Sequence, residues 1–153
     1  MKSQYSHYLV AIFAIFLGSQ ITEGVILVPY WQSLSASEFY AFYQDFGPSI
    51  GRFYTFLTII AALIPVVITI YCFLKKAKAF RYSVISTIFA FLFVACFYIY
   101  FKETNELFYQ SAFSEAALEM ELIRWNNWHW GRIGLEFLSL LFLILTFQKI
   151  RNE

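Results

Sequence analysis

Trp125, His129, Arg132 and Glu136 are spaced i, i+4, i+7 and i+11, which sets an indole, an imidazole, a guanidinium and a carboxyl along one stripe of a helix. Imidazole is the side chain whose ordinary titration falls nearest neutral pH, which suits His129 to general-base work. A guanidinium one turn away suits Arg132 to stabilising a developing oxyanion. Glu23, in a different apolar segment, is the natural carboxylate to hold that arginine in place. Gln20, one turn before Glu23, and Asn105 could complete the constellation. No metal is expected, since one histidine with scattered carboxylates makes a poor ligand set. The sequence has no Gly-rich phosphate loop, no Cys-x-x-Cys-His and no His-x-x-x-His. His7 and His129 fall at opposite ends of their segments, which excludes a bis-histidine haem within one chain. The cofactor is left open.

The elements that carry these residues are four apolar runs, about Tyr8–Tyr30, Phe53–Leu74, Tyr82–Phe101 and Trp130–Phe147. Each approaches or exceeds the roughly 20 residues that cross about 30 Å of hydrocarbon. Hydrophobic residues make up 60% of the 153-residue chain and charged residues 14%, which inverts the balance of a soluble domain. The reading is all-α: one integral membrane domain over 1–153, a four-helix transmembrane bundle with two short interfacial helices on the outer side. Lys2 followed by Tyr8–Leu17 resembles a signal peptide, but the apolar run resumes after Gly24 and is read as a retained first span. A net charge of +1 with no basic stripe argues against a nucleic-acid partner. Cys72 and Cys96 fall at different depths in their spans, so no disulfide between them is expected and both read as small packing residues.

Charge orients the spans. Lys75, Lys76, Lys78 and Arg81 fill the second connection, Lys2 precedes the first span, and Lys149 and Arg151 follow the last. The first and third connections hold Glu38, Asp45, Glu103, Glu106, Glu115, Glu119 and Glu121. Basic residues are retained in the cytoplasm, so both termini are expected there. In the first connection, Ser35-Ala-Ser-Glu38 is a capping box opening a helix with Phe39, Phe42, Tyr43 and Phe46 on one face, and Gly47-Pro48 is expected to end it. The third connection is again helix-prone over Ser114–Ile123. These segments either seal the bundle's mouth or form a lid over a site.

Depth brings the polar residues together. Arg132 lies seven residues in from Trp125, and Glu23 seven in from Tyr30, so both sit roughly 10 Å deep. Opposite charges at matched depth predict a Glu23–Arg132 pair, because an isolated charge there costs far more than a paired one. One pair would serve only to fix helix register. Two carboxyls, a guanidinium, an imidazole and amides suggest instead an outward-facing polar pocket, with Glu23, Arg132 and Glu136 at its floor and His129 and Asn105 near its mouth. Its aromatic surroundings read either as an interfacial belt or as cavity walls.

Glu23-Gly24-Val-Ile-Leu-Val-Pro29, Thr104-Asn105-Glu106 and Trp125-Asn126-Asn127-Trp128-His129-Trp130-Gly131-Arg132 carry a resemblance. They are similar to motifs of the anthrone oxygenase-like family of small four-span membrane proteins. The resemblance implies an oxidoreductase acting on a hydrophobic or aromatic small molecule, with His129, Arg132 and Asn105 as matching positions; Glu23 rests on the depth argument. On this reading His129, Arg132 and Glu23 are catalytic, and Asn105, Trp125, Glu136 and Gln20 bind substrate. The competing reading is a non-enzymatic lipid- or quinone-binding protein, or an accessory subunit docked on a membrane partner or a second copy of itself. Four spans are too few for an inverted-repeat carrier unless copies associate.

Overall fold

The structure, a computed structural model, describes residues 3–153, with side chains from Tyr5 onward; Lys2 lies outside the described residues. The chain folds as α1 (Ser3–Thr22), a π-helical turn (Glu23–Leu27), α2 (Val28–Gln32), α3 (Ala36–Leu74), α4 (Phe80–Cys96), a second π-helical turn (Phe97–Phe101), α5 (Lys102–Tyr109) and α6 (Glu115–Arg151). The π turns join their neighbours without a break, which leaves four long helices, each long and apolar enough to cross a membrane. There is no strand among the described residues. Large apolar side chains such as Ile15, Ile26, Phe56, Phe73 and Phe91 are exposed on the bundle's outside, as lipid contact requires. This is the build of a multi-pass integral membrane protein.

The helices alternate in direction, and the start of α1 and the end of α6 lie at one end with the connection between α3 and α4. There the backbone N–H of Ala79 donates to Glu153 Oε1 at 2.9 Å. In this terminal half the core is built from Phe13, Phe16, Ile68, Phe93 and Leu143. Two hydroxyl contacts tie the helices. Ser86 and Ser139 donate to each other's backbone carbonyls at 2.7 and 2.9 Å, clasping α4 to α6. Thr69 and Thr87 share a hydrogen bond of 2.8 Å between α3 and α4. The far end packs a separate aromatic core of Trp31, Phe39, Tyr43, Phe101, Phe108 and Trp125.

The connections at the far end correct the expected architecture. The capping box forms as predicted: the Glu38 amide donates to Ser35 Oγ at 3.4 Å, and the Ser35 amide to Glu38 Oε2 at 2.9 Å. The helix it opens does not stop at Gly47-Pro48, however, but continues as α3 through Pro48 and Pro65 to Leu74. Proline removes the bond to the carbonyl four residues back, and here that residue, Gln44, lies on the exposed side with Pro48. Gly47 also admits α5, since a Cβ there would stand 2.9 Å from the Tyr109 hydroxyl. The third connection likewise divides into α5, which prolongs α4, and the first turns of α6. The two short interfacial helices are therefore extensions of the spans. At 39 and 37 residues, α3 and α6 are each well over 50 Å long by about 1.5 Å per residue, so they project far beyond the hydrocarbon.

Candidate functional site

Both π turns face one place. A π turn draws each N–H to the carbonyl five residues back and widens the helix locally; such turns are frequent at functional sites. The first, closed by Val28 N–H to Glu23 O, carries Glu23 inward, and the second carries Phe101. Between them stands Arg132 of α6. Its guanidinium lies over the Phe101 ring with Cζ 4.5 Å from the centroid. Its Nη2 reaches Glu23 Oε2 at 3.7 Å, the pairing that matched depth predicts, and its Nε reaches Glu136 Oε1 at 3.6 Å. Nη2 also donates to Gln20 Oε1 and to His129 Nδ1, the latter at 2.9 Å.

His129 is fully buried, and its partners fix its tautomer. Nε2 lies 2.9 Å from the backbone carbonyl of Gln20, which can only accept, so Nε2 carries the proton. Nδ1 faces a guanidinium, which can only donate, so Nδ1 offers its lone pair. Glu23 Oε2 stands 3.8 Å from that same Nδ1, but with no proton between them this is proximity and not an ion pair. Gly24 makes the arrangement possible: a Cβ there would sit 3.1 Å from His129 Cδ2 and 3.2 Å from its Nε2. Trp125 stacks on the imidazole at 5.0 Å, and its indole N–H donates to Asn105 Oδ1 at 3.1 Å.

A cavity of about 610 Å³ opens beside this cluster. Glu23, Arg132, Glu136, Asn105 and Trp125 line it; Gln20 and His129 do not, and stand behind the arginine. His129 is thus not near the mouth as expected, because burial under Trp125 and the Gly24 backbone removes it from the wall. The opening differs too. Along α3 the wall runs from Tyr43 to Val66, roughly 34 Å at 1.5 Å per residue, and the exposed side chains of Ile59, Leu63, Phe91 and Tyr98 border it. The slot therefore faces sideways between α3 and α4 along much of its length, instead of opening only at the far end.

The slot exists because α3 presents small residues to it. Gly51, Thr55, Thr58 and Ala62 recur every three or four residues on its cavity face, leaving space that larger side chains would fill. That stripe was the available sequence signal for the cavity, and the polar-residue argument overlooked it. Small stripes usually mark close helix contact; here the stripe lines a cavity. Among the described residues no group of three or more His, Cys, Asp and Glu could hold a metal ion. Comparison with protein-family models, curated proteins and solved structures found no match for the chain.

Proposed function

We propose that this protein binds a hydrophobic small molecule that enters from the bilayer into the slot between α3 and α4, with its polar head at Glu23, Arg132 and Glu136. One observation carries the reading. A fully buried carboxyl, Glu136, lines a cavity otherwise walled mainly by apolar and aromatic side chains, and neither of its oxygens has a hydrogen-bond partner. Buried polar groups are nearly always satisfied, so an unsatisfied one facing a cavity points to a missing partner. The charge pattern supports an orientation with both termini cytoplasmic and the slot in the outer half of the membrane. The test is mass spectrometry of molecules carried through purification by the wild type and by Gly51→Phe. Nothing lies within 4 Å of a Cβ at Gly51, so the variant should fold and block the slot. Wild type is expected to retain a hydrophobic molecule that Gly51→Phe lacks; equal retention overturns the proposal.

A second reading, an anthrone oxygenase-like oxidoreductase, draws support from the two carboxyls flanking Arg132 on the cavity wall. A carboxylate would take a proton from the methylene of a bound anthrone while Arg132 stabilises the resulting oxyanion. The anion would pass electrons to dioxygen, and the peroxide formed would lose water to leave the ketone. Methylene and dioxygen thus become carbonyl and water. In this scheme His129 holds Arg132 and does not itself move the proton. Oxygen uptake with an added anthrone tests it, and none above the Arg132→Leu background counts against it.

A further inference from the structure

We propose that the slot takes a lipophile whose head is a hydrogen-bond-accepting oxygen, a carbonyl or a carboxylate, and that Arg132 Nη1 receives it. This rests on the reading of the slot as a ligand site and names the class of ligand it takes. The partners of Arg132 occupy only one side of its guanidinium. Nη2 gives both of its N–H groups away, to Gln20 Oε1 and His129 Nδ1. Nε is turned toward Glu136 Oε1 at 3.6 Å, too far for a hydrogen bond. Neither N–H of Nη1 has a partner, and Nη1 is not among the unpartnered atoms that the fold seals. On the slot wall the Arg132 side chain keeps 14% of its surface exposed, against 5% for Glu23 and 0% for Glu136. The unpartnered carboxyl oxygens, both of Glu136 and Oε2 of Glu23, are covered by neighbouring atoms, so a head arriving from the slot meets the guanidinium first.

A second donor stands on the same wall. The Trp125 indole can only donate, so the Asn105 atom that it meets is the amide oxygen, and the amide nitrogen is left to donate elsewhere. Asn105 follows one turn after Phe101, the ring beneath the guanidinium, so both donors belong to the same end of the slot. A guanidinium stays charged throughout the range in which proteins work, and it can only donate. A protonated amine also only donates, and would bring a second cation up against it. A carbonyl or carboxylate oxygen would instead complete its hydrogen bonding, and such bonds to a charged donor are among the stronger ones, more so in a site of low dielectric. A purely apolar molecule would fill the slot and leave Nη1 stripped of water with nothing to donate to, which is costly. The rings of Tyr54, Phe93, Phe97 and Tyr98 give the body of the ligand its apolar wall.

The test uses the full chain in nanodiscs of zwitterionic lipid and radiolabelled probes of matched length: methyl decyl ketone, dodecanoate, dodecylamine and dodecane. Retention above empty nanodiscs is measured by equilibrium dialysis near pH 8. The better of the two oxygen acceptors is expected to bind at least about tenfold more tightly than both the amine and the alkane. The ketone ahead identifies a neutral carbonyl ligand, and the carboxylate ahead identifies an acid. An amine or alkane within that factor of the better acceptor overturns the proposal. Arg132→Lys keeps the charge but removes Nη1, and should bring the preferred acceptor down to the level of dodecane; an unchanged preference in the folded variant overturns the proposal. If Arg132→Lys does not fold, nitrogen NMR of the arginine side chains in the wild type decides. The preferred acceptor should shift the Arg132 Nη1 signal and dodecane should not; equal shifts with both overturn the proposal. Retention of none of the probes above empty nanodiscs, or equal retention by Gly51→Phe, defeats the underlying reading of the slot instead.

Discussion

Arg132 touches five groups from four segments of the chain, so removing it strands more than it releases. Arg132→Leu should destabilise the bundle by about 3–5 kcal/mol, because it leaves two buried carboxyls without a counter-charge. The triple variant Arg132→Leu, Glu23→Gln, Glu136→Gln should recover most of that loss; unfolding in mixed micelles measures both. His129 works through the arginine. His129→Ala leaves a buried carbonyl and a guanidinium N–H unserved and should cost about 1–3 kcal/mol. In His129→Asn, an amide oxygen stands near the place of Nδ1, so Arg132 should stay seated and ligand retention should survive better than in His129→Ala. His7→Ala, at the terminal end, should change neither quantity. The Glu23–Arg132 pair was legible in the sequence because depth can be counted from span ends. The withdrawal of His129 behind Arg132 was not, since helical spacing gives a stripe without saying which residues of it a neighbour covers.

At the scale of elements, the two π turns matter most, and neither announces itself in the chain. Glu23–Leu27 and Phe97–Phe101 read as ordinary apolar helix, and only packing across the bundle determines that a turn widens there. Gly24 was the one visible hint, a residue without a side chain beside a buried acid. It supports a direct test. Gly24→Ala should cost about 1–3 kcal/mol, since its Cβ would press on the His129 ring. Gly18→Ala, with nothing within 4 Å, should cost nothing and gain a little in helix propensity. Equal effects at the two glycines in a thermal-denaturation comparison would remove the argument that the first π turn is built around the histidine. The capping box at Ser35 could be read directly, being a local pattern. The passage of α3 through Pro48 could not, because a Gly-Pro pair reads locally as a stop and the packing of Gly47 against Tyr109 that carries the helix past it is long-range.

For the whole molecule, span number and helical class were plain from hydropathy, while the slot lay hidden in the relation of α3 to α4. The alternating directions of the helices and the shared terminal end make the orientation testable. In intact cells, an impermeant thiol reagent should label Asp45→Cys and spare Lys78→Cys; the reverse pattern would invert the topology and place the slot in the other leaflet. The pair of hydroxyl ties near the terminal end has one more consequence. Ser86–Ser139 makes α4 and α6 a single stiff blade, and Thr69–Thr87 pins α3 to that blade below the slot. Above the slot α3 is held as well: Tyr43 packs on Phe108 and Tyr109, and the Tyr54 hydroxyl donates to the Ser19 carbonyl at 3.2 Å. The gap is a buttonhole stitched at both ends, so a flat molecule arriving from the side has to bow α3 between the stitches instead of swinging it open.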